Sequence, residues 1–308
     1  SSDLLLRRII GFCLIACFVG IALDMLTSVP WKGYSYMVGE VELSANRSWA
    51  FDDIDRIGGF ARMSTALSVM IAVYSLFIAA FIRSRLLRLL LYVAALIGIV
   101  LTTNKSTAAA YVLTLLMLIF TAYRFASAAA FLIAVLVGLM LPAISLVLSL
   151  DPNAANSGTL LASFADRLIN SWPNFIGVML REGWGWWGAG FGAVGSAGHA
   201  YPVPGLELLV IADNTALYLW GMLGVFGVLL YLLCFPLMLR LHERGPRLRD
   251  ALLPIVFCLC LVAWATDVLE VTTATLFLGL AISHVLTPAR ASARGLAPQR
   301  LPELRHLT

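Results

Sequence analysis

The sequence predicts an all-α fold, a polytopic transmembrane helix bundle, and three observations carry that expectation. Of the 308 residues, 61% are hydrophobic and only 12% are charged, against roughly 25% charged in soluble domains. So few charges could not cover the surface of a soluble domain of this size. Eight apolar runs, at roughly 9–26, 63–82, 86–103, 107–123, 127–149, 215–239, 251–266 and 268–286, are each near the ~17–25 residues a helix needs to cross a bilayer. None shows the alternation of a barrel strand, and a backbone in lipid must satisfy its own hydrogen bonds, which leaves helices. The same composition excludes a disordered chain, a coiled coil and a secreted disulfide scaffold.

The first run follows Arg7 and Arg8 and is interrupted by Asp24. Its cleavage pattern is poor, so it reads as a span rather than a signal peptide. The start at Ser1-Ser2-Asp3, without Met, reads as an interior beginning, with further helices expected before it. On an eight-span chain, Arg7, Arg8, Arg83, Arg85, Arg88, Arg124 and the arginines from Arg240 onward fall on one side. Lys32, Arg47, Arg56, Arg62, Lys105, Arg167 and Arg181 fall on the other. The positive-inside rule then puts both termini and the tail 287–308 in the cytoplasm. The net charge of +4 is topology rather than a nucleic-acid surface. Cys13, Cys17, Cys234, Cys258 and Cys260 all lie in apolar runs, where they read as small buried residues.

Within this single membrane domain, 1–308, two outer segments exceed what a connector needs: 27–62 and 150–212. Loops beyond ~12–15 residues are usually functional or disordered, and these are too aromatic for disorder. The first has Trp31, Tyr34, Tyr36, Trp49 and Phe51; the second has Trp172, Phe175, Trp184, Trp186 and Trp187. Such rings suit the membrane–water interface. Leu160, Leu161, Phe164, Leu168, Ile169, Trp172, Phe175 and Ile176 recur at helical spacing. An outer helix over 159–181 is expected, broken near Pro173, either anchored at the interface or capping a reaction site. Gly190, Gly192 and Gly195 make a literal GxGxxG, but with no strand before it and no βαβ unit the dinucleotide reading fails. Asn46-Arg47-Ser48 and Asn104-Lys105-Ser106 are glycosylation sequons of the kind that three residues produce by chance.

Cations gather on the side that should be poor in them. Arg56 and Arg62 flank Gly58-Gly59-Phe60, Lys105 sits in a short turn, and Arg167 and Arg181 bracket the outer helix. Snorkelling explains any one of them; together they point to an anion, since Arg matches phosphate oxygens with paired donors and Lys supplies a point charge. A lipid-linked diphosphate fits. No metal-ligand spacing is visible, and no cofactor is expected. Asp213-Asn214 opens the sixth run, and Asp267 and Glu270 cap the last hairpin.

Asp213-Asn214, nine residues, Gly224, two residues, Gly227 is the sharpest pattern. Here the chain resembles the O-antigen ligase and polysaccharide polymerase superfamily of bacterial membranes, which carries His-Asn or a similar pair before the same Gly spacing. Arg56-Ile57-Gly58-Gly59-Phe60, Asn104-Lys105-Ser106, Arg167 to Trp172 and Gly188-Ala189-Gly190-Phe191-Gly192 resemble the family's other segments, in order, from Arg56 to Leu232. Asp213 stands where ligases have His. The resemblance implies a metal-independent, GT-C-like glycosyltransferase of the bacterial inner membrane, active at its periplasmic face. Its donor would be a glycan on undecaprenyl diphosphate. Arg56, Arg62, Lys105, Arg167 and Arg181 would hold the diphosphate. Asp213, Asn214 and Glu207 would be catalytic, with His199 nearby.

Asp in place of His favours a polymerase, whose acceptor is a sugar hydroxyl of a second lipid-linked repeat unit, with a chain-length regulator or other export proteins as partners. An O-antigen ligase acting on lipid A–core remains open, as does a transporter or flippase, although the charges lie at helix ends and the two halves show no repeat.

Overall fold

The computed structural model describes residues 2–38, 41–44, 50–51, 54–120, 123–148, 162–195, 198, 205, 207–244 and 246–287. Helices α1 (Ser2–Leu26), α2 (Ser64–Ala79), α3 (Arg85–Leu101), α4 (Lys105–Phe120) and α5 (Arg124–Ser145) occupy the first five apolar runs. Short helices α6 (Ala162–Asp166) and α7 (Trp172–Arg181) follow. Then come α8 (Thr215–Leu223), α9 (Val225–Leu232), α10 (Cys234–Glu243), α11 (Pro246–Val262) and α12 (Thr272–Leu286). Three helical stretches are long and apolar enough to cross a membrane by length and composition: Leu4–Leu26, Arg124–Ser145 and Val225–Glu243. Ser64–Ala79, Lys105–Ile119 and Thr272–Leu286 are apolar but shorter. The chain is therefore a helical protein with membrane-spanning character.

At the centre of the bundle is α11. Every residue from Ala251 to Ala263 is buried, because this helix is apolar all round and packs against α2, α4, α5, α10 and α12. Hydroxyls tie the surrounding helices together. Ser68 Oγ bonds Thr107 Oγ1 at 3.1 Å, and Ser75 Oγ bonds the Tyr111 hydroxyl at 2.9 Å, both across α2 and α4. Such groups, dry inside a bundle, must find partners on neighbouring helices. The five cysteines are free thiols, with Cys17, Cys258 and Cys260 buried.

Two expectations need correction. The run 215–239 is not one helix. At Gly224 the backbone takes φ 59°, ψ −138°, a region open essentially to glycine alone. The chain doubles back there, so that a methyl on Gly227 would strike the Leu219 carbonyl. In a straight helix those positions would stand about 12 Å apart along the axis. The nine-residue α8 is thus a half-helix that turns back, and the long apolar stretch begins after it.

The segment 27–62, expected as a long outer loop, carries short strands. Antiparallel pairs form between Ser35–Val38 and Val41–Ser44, and between Ala50–Phe51 and Ile54–Asp55. The outer helix, finally, is broken not by Pro173 but by a π turn over Arg167–Ser171, in which the Trp172 N–H reaches back five residues to the Arg167 carbonyl. Pro173 sits in the first turn of α7, where its missing N–H costs nothing.

Candidate functional site

The site grows from the end of α1. Asp24, which interrupts an apolar run in sequence, is buried with its carboxylate fully engaged. It accepts from the backbone N–H groups of Gly58 and Gly59 at 2.9 and 3.0 Å and pairs with Lys32 Nζ at 3.2 Å. Trp31 Nε1 donates to the Gly59 carbonyl at 2.9 Å. These bonds fix the Arg56–Phe60 segment against the helix end and so set where Arg56 stands.

The outer helices form a second apolar cluster. Trp172, Phe175, Ile176, Val178 and Met179 pack with Val194, Leu209, Ala212 and Leu217. All five residues lie on α7, which therefore packs on the α8 half-helix. Trp172 is fully buried, and its Nε1 donates to the Ala212 carbonyl at 3.0 Å. The π turn between α6 and α7 aims Arg167 at the residue after Ala212. Arg167 Nε donates to Asp213 Oδ2 at 2.9 Å, across 46 residues of sequence. Single π turns inside α-helices recur at functional sites.

Asp213 and Asn214, adjacent in the chain, do different things. Asn214 is fully buried and uses all of its side chain: Nδ2 donates to the Gly138 and Trp264 carbonyls at 2.9 and 3.1 Å, and Oδ1 accepts from the Leu217 N–H at 3.0 Å. It is the N-cap of α8 and locks α8 to α5 and α11. Its polar groups are all engaged inside the bundle, which gives it a structural role beside the catalytic one the resemblance implies. Asp213, by contrast, takes φ 47°, a left-handed conformation that Asp and Asn tolerate better than most residues.

Asp213 also has charged company. Arg56 lies close enough to both Arg167 and Asp213 to feel them: burial first, and the Arg167 charge second, push its pKa down, while Asp213 pulls it up. Behind them, the Asp267 carboxylate accepts from the Asn214 N–H at 3.1 Å. Burial, with Asp213 and Glu270 nearby, holds the Asp267 carboxyl well above its usual range, against the opposing pull of the Asp213 and Asn214 backbone N–H groups. Glu270 and Tyr218 both lie against Gly195, where a methyl would collide with them. Asp267, raised by burial, and Asp213, bonded to Arg167, are two carboxyls in different environments, and such a pair can divide acid and base roles. Among the described residues, no His, Cys, Asp or Glu group could hold a metal.

The glycine run serves this arrangement by docking on α8–α9. Ala189 N–H bonds the Gly221 carbonyl at 2.7 Å, Gly190 N–H bonds Met222 at 3.2 Å, and Val225 N–H bonds Trp186 at 3.1 Å. A methyl on Gly224 would run into the Trp186 carbonyl. The Gly224 and Gly227 positions are therefore structural. Trp186, Trp187 and Phe191 are left outside, each more than 70% exposed.

Of the residues expected from sequence, the structure brings together Arg56, Arg167 and Asp213. Lys105 and Arg62 are exposed at the neighbouring ends of α4 and α2, where Asn104 Nδ2 bonds Thr65 Oγ1 at 3.0 Å. Arg181 does not join them. It is exposed at the far end of α7, pairs with Glu182 at 3.0 Å, and is about 20 Å along the helical path from Arg167. Glu207 opens a single 3-10 turn, Glu207–Leu209; its side chain, His199 and the Asn46 sequon lie outside the described residues. Spacing alone missed Asp24, Tyr218, Asp267 and Glu270 as neighbours of the site, although Asp267 and Glu270 were visible as helix-end charges. Two open hollows lie away from these residues. One of about 450 Å³ is lined by Phe226, Leu229, Leu230, Leu232 and Leu233, and one of about 550 Å³ by Arg240, Glu243, Arg244, Val285 and Leu286.

No family model, curated protein or solved structure matches the chain.

Proposed function

We propose that this protein is a metal-independent, GT-C-like membrane glycosyltransferase, a polysaccharide polymerase acting on undecaprenyl-diphosphate-linked repeat units at the periplasmic face of a bacterial inner membrane. One observation carries the reading: Arg167 bonds the Asp213 carboxylate at 2.9 Å, and Arg56, from a segment far away in sequence, stands near enough to feel both charges. The two guanidinium charges act on one another, and the one carboxylate of Asp213 balances only one of them. A diphosphate supplies the remaining negative charge with oxygens matched to the guanidinium fork.

In this reading the acceptor hydroxyl attacks the anomeric carbon, the glycosyl–diphosphate C–O bond breaks, and the electron pair leaves on the diphosphate. Arg56 and Arg167 stabilise that growing charge from fixed positions. The acceptor's proton passes to Asp213, which becomes more available as Arg167 turns toward the leaving group.

The test is deletion of the gene followed by sizing of the surface polysaccharide, with the wild type and Asp213→Asn returned in turn. Asn suits Asp213's φ of 47° and still accepts a bond from Arg167, so it removes the base while sparing the backbone. The expected outcome is single repeat units in the deletion strain, polymer restored by wild type, and little polymer from Asp213→Asn at wild-type abundance. Full-length polymer from Asp213→Asn would remove Asp213 from the chemistry. Full-length polymer left on its lipid carrier in the deletion strain would point to ligation instead. A transporter is the second reading, favoured by the half-helix α8, since broken helices line transporter sites. Repeat units moved across a liposome bilayer without a new glycosidic bond would establish it.

A further inference from the structure

At the opposite end of α1 from Asp24, about 25 Å along the helix from it, five arginines gather: Arg7 and Arg8 on α1, and Arg83, Arg85 and Arg88 at the α2–α3 turn. No acid lies in the sequence between residues 79 and 101, and Asp3 is the single acid before Asp24. None of the five is in an ion pair among the described residues.

Two of them are held in place. The Arg7 guanidinium stacks on the Phe81 ring, 3.8 Å from its centroid, and Arg88 Nη2 donates to the carbonyl of the next residue, Ile82, at 2.6 Å. Both are half-buried, and the Nε of each is buried with no hydrogen-bond partner among the described residues. An orphaned, buried donor on a charged group is costly. Two on arginines flanking one turn therefore call for an acceptor.

We infer that this turn binds the phosphate of an anionic phospholipid, with Arg7 and Arg88 as its donors and Arg8, Arg83 and Arg85 adding field. Surface stacking fixes Arg7 without consuming its N–H groups, and Arg88 spends one on Ile82, so both forks keep donors for phosphate oxygens. The Ser84-capped N-terminus of α3 adds its positive end beside them. A lipid fits better than a free phosphate because the same helices expose Leu5, Ile9 and Phe12 on α1 and Leu86, Leu89 and Leu90 on α3. Acyl chains would cover these faces while the head group meets the arginines. Basic pockets between helix ends bind anionic head groups by this combination of charge and apolar cover. The site is independent of the glycosyltransfer reading, which concerns the other end of the bundle.

The experiment uses the full chain purified in neutral detergent, titrated with phosphatidylglycerol, phosphatidylcholine or inorganic phosphate. Retained lipid is counted by native mass spectrometry, and thermal unfolding is followed in parallel. Saturable retention of phosphatidylglycerol with a raised unfolding temperature is expected, and phosphatidylcholine should do neither. The double variant Arg7→Gln/Arg88→Gln should weaken binding about 30-fold, at the scale of one surface cation per contact, whereas Arg83→Gln/Arg85→Gln should weaken it only a few-fold. Should the first variant fail to fold, Arg7→Lys/Arg88→Lys keeps both charges and removes the forks, and binding several-fold weaker than wild type is expected. Equal retention of the two lipids, or wild-type affinity in the variant that folds, overturns the inference. Saturation by inorganic phosphate at the same concentrations would do so too, by removing the lipid.

Discussion

Replacing Asn214 separates a structural role from a catalytic one, and its magnitude follows from three bonds. Ala removes the cap on α8, worth about 1 kcal/mol. It also leaves the Gly138 and Trp264 carbonyls without the donors that now stand at 2.9 and 3.1 Å, at roughly 1–3 kcal/mol for each orphaned group. The total, about 3–7 kcal/mol, is a large part of the ~5–15 kcal/mol that holds a typical fold. Asn214→Asp should be at least as damaging. It keeps an acceptor for the Leu217 N–H but turns a carboxylate oxygen toward two carbonyls in a fully buried site. Asn214→Ser, which caps without bridging, should fall between Ala and wild type. The assay is abundance in the membrane together with thermal unfolding of the detergent-purified chain. Asn214→Ala at wild-type abundance and with an unchanged unfolding temperature would refute the argument, and loss of product alone would place Asn214 in the chemistry.

Gly224→Ala should destabilise more than Gly190→Ala. Both have positive φ, 59° and 92°, and a left-handed Ala costs about 1–2 kcal/mol, but only at Gly224 would the methyl also strike the Trp186 carbonyl. Equal unfolding temperatures for the two variants would contradict this. Asp267 gives a pH signature. Its carboxyl is held above the ordinary value of 3.8, so the folded chain keeps a proton that the unfolded chain releases. The stability from that proton is complete below the unfolded pKa, about 3.9, and is lost as pH rises through the folded pKa. Asp267→Asn should therefore flatten the fall in unfolding temperature with rising pH; a profile parallel to wild type would sink the assignment.

Helices were legible wherever hydropathy and chain geometry agree. An apolar run of sufficient length has no other way to satisfy its backbone in lipid, so α1 to α5, α11 and α12 lie where their runs lie. The run at 215–239 misled for the same reason. Gly224 interrupts φ without interrupting hydropathy, and apolar content continues across the turn from α8 into α9. The small β pairs at 35–55 were hidden because two to four residues are too few to display alternation. Asp24 reads in sequence as a flaw in a span. Its partners are backbone N–H groups 34 and 35 residues away, and no local spacing reports on bonds of that kind. Arg56, Arg167 and Asp213 were legible as charges on the cation-poor side. Arg181 looked equivalent, because the sequence does not say that a helix carries it away from the others.

The pair Asp213-Asn214 shows how one backbone angle divides the labour. In a helical or extended backbone the two polar side chains would be two short groups competing for one cap. With φ at 47° on Asp213, Asn214 turns inward to the carbonyls of α5 and α11, and Asp213 is left facing Arg167 on the outer helices. The Arg167–Asp213 bond then joins these helices to the mouth of α8, while the Asp213 and Asn214 N–H groups, freed by the same turn, are taken up by Asp267. The charge on Asp213 is thus placed by groups behind it. In the proposed reaction this matters because Arg167 can exchange Asp213 for a diphosphate without the backbone moving. The turn is held by Asn214 on one side and Asp267 on the other, and only side chains need to change partners.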